Sequence, residues 1–130
     1  MYYFSKSSKS KLITCDPNLQ KLANELIKHV DCTILCGVRT LEEQKLLFEQ
    51  GKSKTLNSKH LPNQDGLSQA MDIVVYPIEW QNWKRNYMFV GFVRGIAISL
   101  NIKIRTGADW DSDFNITDQN FHDLPHMELI

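Results

Sequence analysis

The chain has 130 residues, a size that predicts one domain built around a single hydrophobic core. Its 15 Lys and Arg residues balance its 15 Asp and Glu residues, so no overall positive field favours nucleic acid or an anionic lipid surface. With 42% hydrophobic residues the composition is that of a folded protein, yet no apolar run is long enough to span a membrane. We therefore expect no nucleic-acid partner, no membrane insertion and a monomer.

The first predicted elements are an arm, a helix and a strand. Residues 1–11 are rich in Ser and Lys and predict a loosely ordered arm without a signal peptide. Asp16-Pro17 is a typical helix start, and apolar residues at helical spacing predict a helix over 17–30. The apolar run Thr33–Val38 predicts a buried strand.

A capping pattern and a long polar loop follow. Thr40 with Glu43 three residues later predicts a capping box, and this second helix ends at Gly51. Residues 51–68 are polar and rich in Gly, Ser and Asn. A loop of this length in a small domain is usually functional or disordered.

More strands are predicted in the second half of the chain than in the first. It contains a strand at Ala70–Tyr76, a helix from Glu79 or Trp80 to Leu100, a strand at Ile102–Arg105, a polar loop over 107–120 and a strand at Leu124–Ile130. The sequence therefore predicts an α+β fold with a small antiparallel sheet and flanking helices.

The three cysteines predict reduced thiols. An odd number, in a chain for which we expect no secretion signal, argues against a disulfide framework. Cys32 and Cys36 are four residues apart on the predicted strand, which places both on one face as core residues. A structural zinc site there lacks the second cysteine pair that it needs.

Three other residues suggest a metal site. His60 lies in the long polar loop, Asp72 interrupts an apolar strand, and His126 lies in the C-terminal strand. A carboxylate in a buried strand is costly unless it is paired or binds a metal. Two histidines and one carboxylate form a typical catalytic zinc set, and Asp123 would supply the general base beside it. On spacing alone, a salt bridge at Asp72 stays an alternative.

Four short motifs, in order along the chain, resemble one known family. Ser58-Lys59-His60 with Gly66 and Ala70-Met71-Asp72 resembles the S-x-H…G…A-x-D motif of zinc D-alanyl-D-alanine carboxypeptidases, and Asp123–Glu128 is similar to their D-x-x-H-x-E motif. Gly37–Thr40 with Gln44 resembles the G-x-R-[ST]…Q segment. Gly107–Trp110 is similar to the G-G-D-W loop of the phage branch, whose small endolysins cut the L-alanyl-D-glutamate bond of peptidoglycan.

The resemblance implies a role for each matched residue. His60, Asp72 and His126 would be the zinc ligands. Asp123 would accept a proton from the attacking water and return it to the leaving amine. Arg39 would stabilise the oxyanion or bind a substrate carboxylate.

Four further residues have roles that the resemblance leaves open. Ser58 and Gln44 would position the substrate or the site, Trp110 would form a wall of the substrate groove, and Glu128 would orient a ligand. A core or salt-bridge role for Trp110 and Glu128 stays an alternative. His122 and His29 are expected on the surface.

The chain departs from the motif at one point, because twelve residues separate His60 from Asp72, a longer spacing than in the short form of the motif. The effect of this insertion on substrate preference is not predicted by the sequence. Calcium binding by the acidic loop 107–120 has only weak support, because the loop lacks the Gly and Glu of an EF-hand.

The sequence thus predicts a single zinc peptidase catalytic domain over 1–130, similar in fold to the D-Ala-D-Ala peptidases and the hedgehog domain. We expect a phage or prophage endolysin acting on peptidoglycan peptide, without a separate wall-binding domain. It would be made in the host cytoplasm and released by a holin. A D-alanyl-D-alanine carboxypeptidase and a non-catalytic zinc-containing binding or virion module are the alternatives.

Overall fold

The structure is a computed structural model that describes residues 1–130. It is an α+β fold of four helices and one four-stranded sheet, as the sequence predicts. The elements are α1 (Lys6–Leu12), α2 (Pro17–Leu26), β1 (Cys32–Cys36), α3 (Leu41–Glu49), β2 (Ala70–Val75), α4 (Trp83–Ser99), β3 (Ile104–Gly107) and β4 (Asp123–Leu129).

The predicted helix starts are confirmed, whereas two of the predicted helices are too long. The Asp16 side chain accepts a hydrogen bond from the Asn18 amide at the start of α2, and Thr40 and Glu43 form the predicted capping box of α3. Helix α2 ends at Leu26, and α4 begins only at Trp83. Helix ends are poorly fixed by apolar spacing alone, because turns continue the same periodicity.

The prediction of a loose arm over residues 1–11 is wrong. Residues Lys6–Leu12 form α1, whose cap Ser5 accepts a hydrogen bond from the Ser8 amide. Ser8 is buried, and its hydroxyl accepts a hydrogen bond from the Ile34 amide in β1. Despite its polar composition, this segment is a helix that docks through buried Ser8 and Leu12.

The sheet is antiparallel with strand order β1-β2-β4-β3, so β2 and β4 are its central strands. Met71 and Ile73 on β2 and Met127 on β4 are fully buried in the core, against which α2 and α4 pack. Because side chains alternate along a strand, Asp72 and His126, which pair directly, project from the opposite face. The face away from the core carries the polar residues.

A β-bulge in β1 changes the predicted place of Cys36. Ile34 pairs with Ile73, yet Cys36 pairs with Asp72, so two residues of β1 match one of β2. Cys32 is buried in the core as predicted, but Cys36 is only half-buried and lies on the face of Asp72. The prediction that both thiols are core residues is therefore wrong for Cys36. All three cysteines are free.

No helix of the structure has the length and apolar character that crossing a bilayer requires.

Candidate metal centre and active site

The three predicted metal ligands meet on the polar face of the sheet. His60 Nε2 lies 3.1 Å from Asp72 Oδ1, and His126 Nδ1 lies 3.5 Å from the same oxygen. Ligands at about 2.0–2.1 Å from a tetrahedral zinc ion lie about 3.3 Å from one another, so the two nitrogen–oxygen distances suit such an ion. Both imidazoles are buried. The donor set and its spacing therefore fit a zinc ion.

His60 belongs to a loop, but hydrogen bonds fix its position against the end of β1. Its Nδ1 lies 2.8 Å from the Gly37 carbonyl oxygen, and its own carbonyl accepts a bond of 2.8 Å from the Arg39 amide. Because a carbonyl can only accept, Nδ1 carries a proton, so Nε2 is the nitrogen whose proton a bound metal would replace. The nitrogen directed at Asp72 is thus the one free to bind a metal.

His126 is oriented in the same way by a carboxylate. Its Nε2 lies 2.8 Å from Glu128 Oε1, and the other Glu128 oxygen accepts a bond of 2.6 Å from Arg105. A carboxylate behind a ligating imidazole fixes the tautomer and strengthens the ligand. Glu128 therefore makes the contacts expected for both predicted roles. It bonds to His126 and forms a salt bridge with Arg105.

The electrostatics keep Asp72 ionised. Burial opposes its charge, but hydrogen bonds from His126 and His60 hold the pKa of this carboxyl well below its usual range. Burial would lower the pKa of His60, and the hydrogen bonds to Asp72 and Cys36 instead raise it to about 10. The centre therefore holds an anion that favours a positive charge in contact with it.

Asp123 reaches the same place through an irregular strand. On a regular strand, residues three apart point to opposite faces, which would separate Asp123 from His126. The register of β3 with β4 shifts between Thr106 and Gly107, and an oxygen of Asp123 lies within 4.8 Å of ligand atoms of Asp72 and His126. Burial and the negative charge of Asp72 raise the pKa of Asp123, as suits a group that both accepts and donates a proton.

Arg39 and Gln44 form one hydrogen-bonded unit. Arg39 Nη1 donates to Gln44 Oε1 at 2.7 Å, and Arg39 Nη2 lies 3.7 Å from Asp72 Oδ2. Gln44 is fully buried, and its amide nitrogen donates to Ser53 Oγ and to the Thr55 carbonyl. Gln44 therefore connects Arg39 to the long polar loop.

Ser58 and Trp110 line the cavity that lies over the three candidate ligands. The Ser58 hydroxyl accepts a hydrogen bond from the His60 amide, so it shapes the loop that carries this histidine. The Trp110 ring lies 5.2 Å from the His126 ring, and its Nε1 donates to the Phe121 carbonyl. The cavity has a volume of about 700 Å³, and both residues lie in its wall.

The other histidines lie away from the centre, as predicted. His29 pairs with Glu25 on the surface at 2.9 Å. His122 is exposed and lies 3.3 Å from the Tyr87 hydroxyl.

The candidate calcium ligands in the loop after β3 already bind within the protein. Asp109 pairs with Arg94 at 3.1 Å and accepts a hydrogen bond from the Phe114 amide. Asp111 and Asp113 are exposed beside it. Oxygens of Asp109, Asp111 and Asp113 lie within 4.8 Å of one another, and Arg94 balances part of their negative charge.

Sequence reasoning missed three residues of the cavity wall and its surroundings. Arg105 holds Glu128, Phe121 stacks 6.3 Å from Trp110, and Cys36 Sγ lies within 4.8 Å of ligand atoms of His60 and Asp72. The alternation of β3 and β4 could have indicated Arg105, because it pairs with Glu128. No sequence signal indicated Phe121, and the bulge in β1 concealed Cys36.

Comparison with known proteins identifies the family. The whole chain, residues 1–130, matches the family described as phage L-alanyl-D-glutamate peptidase. The chain belongs to this family. It is therefore a peptidase of the phage endolysin type, and the corresponding prediction of enzyme class is confirmed.

Two relatives agree with this assignment. The L-alanyl-D-glutamate peptidase of Escherichia phage T5 is 28% identical over 140 residues, which cover 99% of this chain and 98% of the relative. The crystal structure of Serratia marcescens L-Ala D-Glu endopeptidase ChiX superimposes with a TM-score of 0.76 at 23% identity, over 98% of this chain and 90% of that one. At this identity the second likeness confirms the fold.

Proposed function

We propose that this chain is a zinc-dependent endopeptidase that hydrolyses the L-alanyl-D-glutamate bond of peptidoglycan. One observation carries the zinc assignment, which is the convergence of His60 Nε2, Asp72 Oδ1 and His126 Nδ1 at distances that suit a tetrahedral ion. A salt-bridge cluster would not need both imidazoles to have their far nitrogens bonded to the Gly37 carbonyl and to Glu128.

The proposed mechanism divides the chemistry between the ion and the side chains. When bound, zinc supplies a Lewis acid that polarises the scissile carbonyl and lowers the pKa of the attacking water. Asp123 accepts the proton of this water and donates it to the leaving amine of the D-glutamyl residue. Its half-buried position and raised pKa favour the uptake of the proton, and the more basic leaving amine then takes it up.

Arg39 supports the same reaction from the cavity wall next to Asp72. Its guanidinium is held by Gln44, so its position requires no reorganisation when negative charge develops on the carbonyl oxygen. Gln44 is then a positioning residue, because it acts through Arg39. Trp110 and Ser58 shape the wall against which the peptide lies.

The biological setting follows from the family as a further part of the proposal. A single catalytic domain that acts on peptidoglycan as an endolysin would be made in the host cytoplasm and would need a separate route to the wall. The proposal therefore includes synthesis in the host cytoplasm, release to the wall by a holin, and a monomeric state.

The test is digestion of purified peptidoglycan with the zinc-loaded protein, followed by mass spectrometry of the products. New N-terminal D-glutamate ends are the expected result, and a chelator should abolish them. Zinc content should approach one ion per chain in the wild type and fall in His126→Ala. Loss of terminal D-alanine without new D-glutamate ends would contradict the proposed bond.

A further inference from the structure

The cavity over the candidate ligands is lined by more basic than acidic residues. Five of its lining residues are Arg or Lys, namely Arg39, Lys52, Lys54, Lys59 and Arg105. Its acidic lining residues are Asp72, Asp123 and Glu128. Such a cavity favours a ligand that carries negative charge.

Most of these cations already have partners. Arg39 binds Gln44, Arg105 binds Glu128, and Lys59 Nζ donates to the Leu129 carbonyl at 3.0 Å. The ammonium groups of Lys52 and Lys54 have no ion pair or hydrogen bond. Apart from Arg39, which the proposed mechanism directs at the scissile carbonyl, these two are therefore the cations that remain available to a ligand.

Lys54 is the better placed of the two. Gln44 donates hydrogen bonds to Ser53 and to Thr55, the residues on either side of Lys54. The buried amide that holds Arg39 therefore also fixes the backbone around Lys54. An ammonium group presented by a fixed backbone loses less entropy on binding than one on a free loop.

An aromatic wall connects Lys54 to the candidate metal centre. The Lys54 ammonium lies 5.7 Å from the centre of the Phe121 ring, Phe121 stacks on Trp110, and Trp110 lies against His126. A peptide residue that lies along this wall next to the scissile bond would bring its charged group towards Lys54.

The D-glutamyl residue that follows the scissile bond has two carboxyl groups. One continues the peptide, and the other is free unless it is amidated. We infer that Lys54 binds this free carboxylate, so that the protein prefers peptides with unmodified D-glutamate over amidated ones. The inference rests on the proposed L-alanyl-D-glutamate cleavage and adds the residue that selects the substrate.

The test compares kcat/KM for two synthetic stem peptides that differ only in this carboxyl group, one free and one amidated. The wild type should prefer the free acid by about fivefold, the size of one exposed charge pair. Lys54→Met should bring the ratio close to one, and Lys54→Arg should keep the preference. Rising salt should reduce the preference of the wild type alone.

Two controls separate the possible outcomes. Lys21→Met removes a charge from the exposed surface of α2, outside the cavity, and should leave both rates unchanged. Lys52→Met should keep most of the preference; if Lys52→Met rather than Lys54→Met abolishes it, the role of Lys54 is wrong. Cleavage of both peptides at equal rates by the wild type would overturn the inference alone, whereas cleavage of neither would overturn the proposed function as well.

Discussion

Gly107 packs directly against the backbone carbonyl of Asp123, where β3 and β4 shift their register. A Cβ at position 107 would collide with that carbonyl and would lie 2.9 Å from the Asp123 Cβ. The absence of a side chain on one strand therefore sets the place of the candidate base on the next.

Replacing Gly107 with Ala should displace Asp123 and lower both stability and turnover. The collision is with backbone, which cannot rotate away, so we expect a loss of about 1–3 kcal/mol in the free energy of unfolding. Urea denaturation and kcat measure the two effects. Gly91→Ala is the matched control, because nothing lies within 4 Å of its added Cβ, and its helical position should gain stability.

Asp123→Ala should retain zinc while kcat falls by about 100-fold or more, because the proton shuttle is lost and the ligands are intact. Metal analysis and turnover of the same sample test this expectation. Asp65→Ala, a carboxylate lost from an exposed turn outside the cavity, should behave like the wild type. Full activity in Asp123→Ala would falsify the proposed role.

Glu128→Gln should weaken zinc binding by about 10-fold to 100-fold, since the carboxylate that orients a ligating imidazole is lost. A competition titration with a chromogenic chelator gives the dissociation constant. Glu79→Gln is the control, because it removes the partner of Arg85 at the exposed surface. An unchanged zinc affinity in Glu128→Gln would mean that His126 is not oriented by this residue.

Gln44→Ala should affect stability and catalysis together. The fully buried amide makes three hydrogen bonds to half-buried or exposed partners, and their loss should cost about 1–3 kcal/mol. Because Arg39 loses its support, kcat should fall more than KM rises. Gln44→Glu, which keeps the acceptor for Arg39, should recover part of kcat, and no recovery would argue against the positioning role.

The capping box of α3 gives a prediction on pH. Hydrogen bonds from the Thr40 amide and hydroxyl hold the pKa of Glu43 below its ordinary value of 4.5. The folded pKa is the lower one, so the stabilisation by the Glu43 carboxylate is present above pH 4.5 and is lost as the pH falls through the folded pKa. Glu43→Ala removes this carboxylate and should be less stable than the wild type at pH 7. Urea denaturation at pH 7 and pH 3 should show the difference from the wild type shrinking in acid.

Sequence reasoning identified which residues meet at the candidate site better than it identified the strand geometry that brings them together. Residue types at recognisable spacings indicated His60, Asp72 and His126, and the structure brings these three together. The faces of Asp123 and Cys36 depend on register shifts in β4 and β1, which leave no trace in apolar alternation. Helix α1 was missed because its docking depends on one buried serine and few apolar residues.

A hydrogen bond from His60 Nδ1 to the Gly37 carbonyl and one from the Arg39 amide to the His60 carbonyl anchor His60 at the end of β1, so the loop after it is free to change without displacing this histidine. Asn63 closes that insertion into its own turn by accepting hydrogen bonds from the Asp65 and Leu67 amides. None of residues 61–67 lines the cavity, so insertions within this turn can lengthen the loop while the histidine ahead of them stays in place.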